Sequence, residues 1–249
     1  MSDISIATYN IHKGFSVFNR RFVLHELRER LRELDADVVF LQEVQGAHAR
    51  AVMQNTDSAL QSQYEFLAQE TWPHCVYGKN SEYEAGHHGN AILSRYPILN
   101  WDNQDISAHR FESRGVLCCE LALPHSDTAL YCLCVHLGLF TRGRRFQLSA
   151  LVDYIRRHVP DDAPLVIAGD FNDWNNRARH LLAQELGLHE VFETGRGALA
   201  RSFPVGLPML RLDRIYVRGL GVKRVAVHTQ YPWNRISDHA ALSATLHLP

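Results

Sequence analysis

Apolar and polar positions divide the chain into amphipathic helical segments and short strand-like runs. Apolar residues recur at helical spacing over Arg21–Leu34, Arg145–Val159 and Arg177–Leu186, and we expect a helix in each range. Apolar or alternating runs predict strands. Besides the runs that end near residues 10, 42 and 170, the strand candidates are Ala91–Ser94, Gly115–Leu123, Ala129–Val135, Leu212–Val217, Val222–His228 and Ala240–Leu246. The polar, glycine-containing stretch Asn80–Gly89 predicts a surface loop.

The same order of elements occurs twice along the chain. Each half has a strand, a polar residue, a loop, a helix that begins with Arg-Arg-Phe, a buried strand and a carboxylate. Asn10 of the first half corresponds to His136 of the second, and Glu43 corresponds to Asp170. Two α/β halves that pack their sheets together would bring equivalent strand ends to one face. We therefore predict a single domain over residues 1–249 with an internal two-fold pseudo-repeat; the alternative is a chance similarity between two ordinary helix–strand units.

Composition is compatible with one large domain and argues against a general binder of polyanions. The chain has 249 residues, of which 46% are hydrophobic, enough for a substantial core. Its 26 basic and 27 acidic side chains leave a net charge of −1, so any contact with nucleic acid would depend on a local patch. Basic patches occur at residues 20–21, 142–145 and 156–158, where the alternative is the solvated face of a helix.

The cysteines and the N-terminal sequence favour a cytoplasmic location. The number of cysteines is odd, and four of the five lie in apolar runs, as expected for buried, reduced thiols. The first residues enter a strand pattern at once, without the regions of a signal peptide, and no apolar run is long enough for a transmembrane segment. No feature of the sequence indicates an obligate protein partner.

Five short polar groups, each at the end or edge of an apolar run, carry the candidate chemistry. They are Tyr9–His12, Leu41–Val44, Val135–Leu137, Gly169–Asn172 and Ser237–His239. Active sites of α/β proteins are commonly assembled where buried strands end. Carboxylate and amide oxygens suit a hard cation such as Mg²⁺, and histidines can transfer protons or bind anionic oxygen. The set predicts metal-assisted attack of water on a phosphate ester.

Three of these residues are candidates for holding the cation and its waters. Glu43 follows a buried strand and is the candidate principal Mg²⁺ ligand, with a loop cap as the alternative. Asn10 could hold a metal-bound water or orient the base, although asparagine is also common in turns. Asp238 is a candidate outer ligand that tunes the metal-bound waters.

An Asp-x-Asn sequence follows directly on an apolar strand. In an extended chain, Asp170 and Asn172 would point the same way. Asp170 could then take the proton of the attacking water, while Asn172 donates a hydrogen bond to the developing phosphorane oxygen. An Asx-turn at the end of the strand is the alternative.

Two histidines are candidates for handling charge and protons. His239 would neutralise phosphate charge when protonated, and a protonated histidine needs a neighbouring carboxylate. Asp213, which interrupts an apolar run, is the candidate partner; its ion pair with Arg214 or Arg211 is the competing explanation. His136 would be a second acid near the leaving group, or a histidine with satisfied hydrogen bonds at a strand end.

Taken together, these groups resemble the active-site motifs of the endonuclease/exonuclease/phosphatase superfamily, which has the DNase I-like fold. The resemblance covers essentially the whole chain. The residues that fall on family active-site positions are Asn10, Glu43, His136, Asp170, Asn172, Asp213, Asp238 and His239, and Arg114 resembles the family arginine that contacts the substrate phosphate. The resemblance implies an α/β fold: a four-layer α/β/β/α sandwich of two packed mixed β-sheets flanked by helices. It also implies in-line hydrolysis of a phosphate ester with Mg²⁺ or Mn²⁺, with Arg114 and Asn10 near the phosphate and Asn10 also near the cation.

The chain departs from particular branches of the superfamily. Abasic-site endonucleases have an acidic residue where His12 stands, and histidine is a poor Mg²⁺ ligand; they also have tyrosine where His136 stands. DNase I pairs the histidine that corresponds to His136 with a glutamate. The candidates in that neighbourhood of this chain are Glu82, Glu84 and His87–Asn90, and the sequence does not choose among them.

The leading hypothesis is a metal-dependent phosphodiesterase, either nuclease-like or acting on a smaller diester. The alternative is a phospholipid-headgroup, sphingomyelinase-like or phosphoinositide-type hydrolase, for which Leu137–Phe140 and Pro204–Leu210 are candidate interfacial loops or core segments. A non-catalytic binding module is a third possibility, which the complete set of acid, base and metal-binding residues argues against. Lys13 and His88 are candidate substrate contacts.

Overall fold

The computed structural model describes residues 2–15, 23–48, 62–83, 86–110, 112–124 and 128–248. The strands are β1 (Asp3–Asn10), β2 (Val38–His48), β3 (His74–Tyr83), β4 (Gly86–Ser94), β5 (Ile98–Asp105), β6 (Gly115–Leu121), β7 (Leu130–His136), β8 (Leu165–Asp170), β9 (His189–Glu190), β10 (Asp213–Arg218), β11 (Gly221–His228) and β12 (Ala241–His247). The helices are α1 (Leu24–Glu33), α2 (Gln63–Ala68), α3 (Thr141–His158), α4 (Arg177–Leu186) and α5 (Val191–Arg196). Short 3₁₀ turns cover His12–Gly14 and Trp233–Arg235.

The strands form two mixed sheets. The first has the order β11-β12-β1-β2-β4-β3, and the second has the order β5-β6-β7-β8-β10-β9. In the first sheet β1 lies parallel to β2, and α1 connects them. In the second sheet β7 lies parallel to β8, and α3 connects them. The other neighbouring strands run antiparallel.

Alternating side chains give each sheet one face toward the other sheet and one face toward helices. The core between the sheets contains Ile6 of β1 and Ala168 of β8. A second core, which includes Leu151 of α3, covers the outer face of the second sheet. A third core, which includes Leu27 of α1, covers the outer face of the first sheet. These layers confirm the predicted four-layer α/β/β/α sandwich.

The two sheets share one strand plan. Each has a parallel pair near its centre with antiparallel strands on both sides, so that β12, β1 and β2 occupy the places of β6, β7 and β8. The register corrects one predicted correspondence, because Gln42 rather than Glu43 lies opposite Asn10, whereas Asp170 lies opposite His136. The single domain with a two-fold pseudo-repeat stays a prediction, and the shared plan supports it.

Most predicted elements occur with shifted ends. Helix α4 has the predicted bounds, whereas α3 begins at Thr141 rather than Arg145. The first residues of the helix predicted from Arg21 lie outside the described residues, and α1 begins at Leu24. Helices α2 and α5 and strand β5 were not predicted, because each is short or has no regular run of apolar residues.

The prediction of a surface loop over Asn80–Gly89 is wrong. Strands β3 and β4 extend through most of this stretch and pair antiparallel. Glycine and histidine have little intrinsic preference for strands, but β4 is hydrogen-bonded to β2 on one side and to β3 on the other. Tertiary pairing therefore overrides the local signal.

The cysteines are free thiols, of which Cys118, Cys119, Cys132 and Cys134 are buried and Cys75 is half-buried. Burial raises the pKa of Cys134 to about 12, so its thiol stays protonated at neutral pH. In the part of the chain that the structure describes, no helix has both the length and the apolar character needed to cross a membrane.

Candidate active site

Four of the predicted site residues lie at one end of the core between the sheets, because side chains alternate between the two faces of each strand. In β8, Val166 faces this core, and Asp170 continues the same face at the two-residue period. Asn10 at the end of β1, His136 at the end of β7 and Asp213 at the start of β10 follow the same rule. The apolar core thus ends in polar side chains that come from both sheets.

The Asp170 carboxylate lies at the centre of these side chains. Its Oδ2 accepts a hydrogen bond from Asn10 Nδ2 at 3.2 Å, and it lies 3.6 Å from His136 Nε2 and 3.7 Å from His239 Nε2. Burial raises the pKa of Asp170 to about 6; the charge of His239 opposes this shift and that of Asp213 adds to it. The carboxylate is therefore mostly ionised at neutral pH and basic enough to accept a proton.

His239 lies between two carboxylates. Its Nδ1 is 2.9 Å from Asp213 Oδ2, and its Nε2 faces Asp170. Burial opposes the charged imidazole, but attraction to Asp213 and Asp170 outweighs burial and raises the pKa of His239 to about 10. The predicted contact between Asp213 and His239 is thus present. The described residues show no ion pair of Asp213 with Arg214 or Arg211; Arg214 donates instead to the backbone carbonyl of Asp213.

His136 is a neutral imidazole. Burial and then the positive charge of Arg114 lower the pKa of His136 well below its usual value. Among the described residues, the carboxylate that lies within ion-pair distance of His136 is Asp170. Of the glutamates expected nearby, Glu82 forms an ion pair elsewhere, and Glu84 lies outside the described residues. A neutral His136 would have to take up a proton before it could act as an acid.

Asn172 does not continue the strand. Its φ is 49°, so the expectation of an extended chain from Asp170 to Asn172 is wrong. The backbone N–H of Asn172 donates to Asp170 Oδ1 at 2.9 Å, which is the Asx-type contact that formed the alternative. The side-chain Nδ2 of Asn172 donates to the carbonyl of Leu137 at 2.9 Å. Because this nitrogen carries two hydrogens, a second donor is present for a phosphate oxygen.

Glu43 and Asp238 lie on either side of the end of β1. A bulge in β2 opposite Asn90 of β4 gives Glu43 a φ of 56° and redirects its side chain. Glu43 Oε1 lies 3.5 Å from Asn10 Nδ2. On the other side, Asp238 Oδ1 lies 3.5 Å from His12 Nδ1.

The Asn10 amide connects these groups. Its Nδ2 faces the carboxylates of Glu43 and Asp170, while its Oδ1 accepts a hydrogen bond from the backbone N–H of His12 at 3.1 Å. Ser237 Oγ donates to the Asn10 carbonyl at 2.7 Å and ties the turn before β12 to β1. This orientation fits Asn10 as a residue that orients Asp170, and the second lone pair of its amide oxygen is still open to the cation or one of its waters.

The donor set fits a hard divalent cation. Glu43 and Asp238 offer partly exposed carboxylate oxygens, and Mg²⁺ is usually bound by one or two carboxylates with waters in the remaining positions. A second group, Asp170, Asp213 and His239, has one ligand atom from each residue within 4.8 Å of the others. Asp213 Oδ1 in this group is buried with no hydrogen-bond partner among the described residues. The charged His239 makes the inner group better suited to protons and anions, so Glu43 and Asp238 are the stronger candidates for the cation.

A family model described as the endonuclease/exonuclease/phosphatase family matches residues 7–239, a range that contains all of these site residues. The chain belongs to the endonuclease/exonuclease/phosphatase family. Membership confirms the resemblance seen in the sequence and supports a phosphoesterase-type hydrolase.

One curated relative and two solved structures are similar to nearly the whole length of this chain. YbhP of Escherichia coli strain K12, described as uncharacterized, is 46% identical over 243 residues, which cover 98% of this chain and 96% of YbhP. An endonuclease/exonuclease/phosphatase from Beutenbergia cavernae has a TM-score of 0.79 at 19% identity, with 100% of this chain and 72% of that chain covered. TDP2 of D. rerio in complex with a single-strand DNA product has a TM-score of 0.72 at 19% identity, with 99% and 100% covered. The two structural likenesses concern the fold alone.

In this family member, positive charges flank His136. Arg114 is half-buried, and its Nη1 donates to the backbone carbonyl of Ser113; Lys13 is exposed. Neither forms an ion pair with a carboxylate among the described residues. The charges of both residues lower the pKa of His88 as well as that of His136, after the larger effect of burial. The negative charge of Glu43 opposes their effect on His88. A positive flank of this kind suits an anionic substrate.

Sequence reasoning missed the side chains that hold the segment after His136. Arg144, predicted as part of a basic surface patch, is 2% exposed, and its Nη1 donates to the carbonyls of Gly138 and Leu139. Gln147, one helical turn later, accepts from the backbone N–H of Gly138 at 2.7 Å. Arg144 and Gln147 are three residues apart and therefore lie on one face of α3. This spacing was the only sequence signal that both could bind the backbone of Gly138.

Proposed function

We propose that this chain is a Mg²⁺- or Mn²⁺-dependent phosphodiesterase that hydrolyses its substrate by in-line attack of an activated water on phosphorus. The observation that carries the proposal is the buried Asp170 carboxylate with Asn10, His136 and His239 around it. Family membership supports the coarser class, a phosphoric ester hydrolase.

Asp170 is the proposed general base. Hydrogen bonds from Asn10 and from the backbone N–H of Asn172 fix the direction of its carboxylate. A water beside Asp170 would transfer a proton to it as the water oxygen attacks phosphorus. A pKa of about 6 leaves the carboxylate ionised at neutral pH while making it a stronger base than an exposed aspartate.

Two other residues are proposed to stabilise the charge that develops on the phosphate. His239, held by Asp213, is positively charged at neutral pH and would bind a non-bridging oxygen. The second N–H of the Asn172 amide would donate to another oxygen of the pentacovalent intermediate. Arg114 and Lys13 would bind the anionic substrate from the positive flank.

Glu43 and Asp238 are the proposed residues for the divalent cation, which when bound supplies positive charge that polarises the phosphate group. Asn10 keeps Glu43 and Asp170 in a fixed relation, because its Nδ2 lies 3.5 Å from the first carboxylate and 3.2 Å from the second.

The test is hydrolysis of an aryl phosphodiester beside its monoester, in EDTA, Mg²⁺ and Mn²⁺. We expect metal-dependent cleavage of the diester, with Asp170→Asn and Glu43→Gln each lowering kcat by about 10²- to 10⁴-fold. Asp153→Asn, on the exposed face of α3, is the matched control and should leave the rate unchanged. Unchanged turnover in both site variants would contradict the mechanism, and a preference for the monoester would indicate a phosphatase.

Nucleic acid is one class of diester that fits the positive flank, and the structural neighbour TDP2 of D. rerio has been solved with a single-strand DNA product. A second candidate class is the phospholipid headgroup. Exposed apolar side chains favour it: Leu139 is 55%, Phe140 75%, Leu207 69% and Met209 60% exposed. The segment that carries Leu207 reaches the site, because the backbone N–H of Val205 donates to the Asp238 carbonyl at 2.8 Å. Comparison of single-stranded DNA with phospholipid vesicles as substrates separates the two classes.

A further inference from the structure

The buried side chain of Gln147 joins two segments next to the site. Gln147 lies in α3 with 0% exposure, and both of its polar atoms are engaged. Its Oε1 accepts a hydrogen bond from the backbone N–H of Gly138 at 2.7 Å, and its Nε2 donates to Glu112 Oε2 at 2.8 Å. Gly138 lies two residues after His136, and Glu112 lies two residues before Arg114. One glutamine therefore ties the segment after β7 to the segment before β6.

The direction of the Gln147 amide is set by its partners. A carboxylate only accepts hydrogen bonds and a backbone N–H only donates them, so a reversed amide would face both partners with the wrong atoms. The Glu112 carboxylate is also packed against Gly138, where an added Cβ would lie 2.0 Å from Glu112 Oε1. Arg144, on the same face of α3, donates to the carbonyls of Gly138 and Leu139. Gly138 is thus held through both its N–H and its carbonyl.

The peptide group that Gln147 binds also holds the Asn172 side chain. The N–H of Gly138 and the carbonyl of Leu137 belong to one planar peptide group. This carbonyl accepts a hydrogen bond from Asn172 Nδ2 at 2.9 Å. An asparagine amide is planar and its two hydrogens have fixed directions, so the bond to Leu137 decides where the second hydrogen points. Hydrogen bonds therefore run without a break from Asn172 through this peptide group and Gln147 to Glu112.

We propose that Gln147 is a positioning residue, which holds the Leu137–Gly138 peptide group so that the second N–H of Asn172 points at the substrate phosphate. The inference rests on the proposed function, because Asn172 stabilises charge on the phosphate in that mechanism. Tilting of the peptide group would turn the Asn172 amide away from the position where charge develops, and small misplacements of such donors slow the chemical step strongly. The effect should fall on kcat rather than on KM, because the charge develops in the transition state. The alternative is that Gln147 only stabilises the fold.

The test exchanges the two groups that meet at the end of this series of hydrogen bonds. Gln147→Glu puts a second carboxylate against Glu112, which should break the series and lower kcat on the aryl phosphodiester by about 10-fold. Combination with Glu112→Gln restores one amide and one carboxylate, with the amide now donating from the opposite side, and should return kcat to within about 2-fold of the parent value. Gln147→Leu removes both hydrogen bonds without adding charge and should lower kcat to a similar extent, which keeps the test valid if Gln147→Glu does not fold.

A double-mutant cycle separates positioning from stabilisation. If Gln147 acts through Asn172, Gln147→Leu should have no further effect on kcat in protein that already carries Asn172→Ala. An equal loss with and without Asn172 would mean that Gln147 does not act through this amide. Leu151→Ala is the matched control, because Leu151 is a fully buried residue of the same helix that takes no part in these hydrogen bonds. It should lower the melting temperature without changing kcat of the folded protein.

NMR of the Asn172 side chain in EDTA gives a readout without turnover. The amide hydrogen bonded to Leu137 should lie downfield of the second one, and Gln147→Leu should move it upfield, whereas Leu151→Ala should not. If the parent protein cleaves neither ester, the proposed function fails, and this shift alone decides whether Gln147 orients Asn172. In a parent protein that does cleave the diester, an unchanged shift or an equal loss of kcat with and without Asn172 would overturn the inference and leave the proposed mechanism intact.

Discussion

Burial and contacts separate the carboxylates of the site into two kinds. Asp170 is almost fully buried, and its pKa is raised to about 6, whereas Asp213 is held 2.9 Å from the His239 imidazole. Glu43 and Asp238 are partly open to solvent. A buried carboxylate with a raised pKa suits proton transfer, and exposed carboxylates suit a hydrated cation. In the proposed mechanism, the buried pair Asp170 and Asp213 and the partly exposed pair Glu43 and Asp238 would therefore serve different steps of one reaction.

Replacement of Asp213 by asparagine is expected to lower the pKa of His239 by about one unit or more. Burial acts against the charged imidazole, and Asp213 is the strongest of the charges that oppose this effect. Removal of the carboxylate leaves Asp170 as the main remaining attraction. NMR titration of the His239 ring in EDTA measures the change, and Asp238→Asn, whose charge has a smaller effect, should lower the pKa less.

The same charge predicts how stability depends on pH. The folded pKa of His239 is about 10 and the ordinary value is 6.5, so folding stabilises the protonated form. Its contribution to the free energy of unfolding is fully present below about pH 6.5 and is lost as the pH rises through about 10. Asp213→Asn should reduce this loss between the two pH values. An equal slope in both proteins, measured by urea unfolding across this range, would mean that Asp213 does not raise the pKa of His239 in the folded state.

Among the elements, the parallel pair β7 and β8 depends on one glycine. Gly169 has a φ of +147°, and a Cβ at this position would lie 1.9 Å from the carbonyl oxygen of Val135 in the neighbouring strand. The close approach keeps Asp170 opposite His136. Gly169→Ala is expected to lower the free energy of unfolding by about 3 kcal/mol or more, because a strained backbone and a main-chain clash act together.

Gly206→Ala is the matched control for Gly169→Ala. A Cβ at Gly206 would meet no atom within 4 Å, so the free energy of unfolding should change by less than about 1 kcal/mol. Urea unfolding followed by circular dichroism measures both variants. Similar small changes in the two would show that β7 and β8 can separate without cost, contrary to the role given to Gly169.

The sequence predicts best the elements in which a regular pattern of apolar side chains indicates which face is buried. Strand β8 is fully buried, and its apolar run together with the Asp-x-Asn at its end predicts the strand and a candidate site residue. Helix α4 has the expected bounds because apolar side chains recur along one of its faces and Gly187, in the left-handed conformation, follows its last residue.

The features that the sequence could not predict depend on partners distant along the chain. Strand β4 is held in place by its pairing with β2 and β3. Its glycines and histidines do not by themselves indicate a strand. Helix α2 is only six residues long and has a capping box formed by Ser62 and Glu65, a signal too short to stand out in an apolar pattern. Arg144 is buried and donates hydrogen bonds to two backbone carbonyls that follow β7. No local sequence pattern indicates these contacts.

For the whole molecule, the site exists only where the two sheets pack together. Asn10 and Glu43 come from the first sheet, whereas His136, Asp170 and Asp213 come from the second. Pairing of β1 with β12 also joins the first and last parts of the chain. An assembly of this kind is expected of a single domain, in which loss of either outer layer should unfold the site as a whole.

Two matched cavity variants test this cooperativity. Leu27 of α1 and Leu151 of α3 are both fully buried, one in the outer core of the first sheet and one in that of the second. Each leucine-to-alanine change should lower the free energy of unfolding by about 3 kcal/mol. Glu29→Ala and Asp153→Ala, on the exposed faces of the same helices, are the controls and should have little effect.

The decisive readout is hydrogen exchange of the most protected amides in β4 and β10, one strand from each sheet. If the chain unfolds as one unit, Leu27→Ala should speed exchange in both strands by the same factor, roughly 100-fold for a loss of about 3 kcal/mol. Leu151→Ala should do the same, although its cavity lies on the opposite side of the molecule. If Leu27→Ala affected only β4 and Leu151→Ala only β10, the two sheets would be separate folding units. The proposed catalytic groups would then have to be aligned by a weak interface, and the single-domain prediction would be wrong.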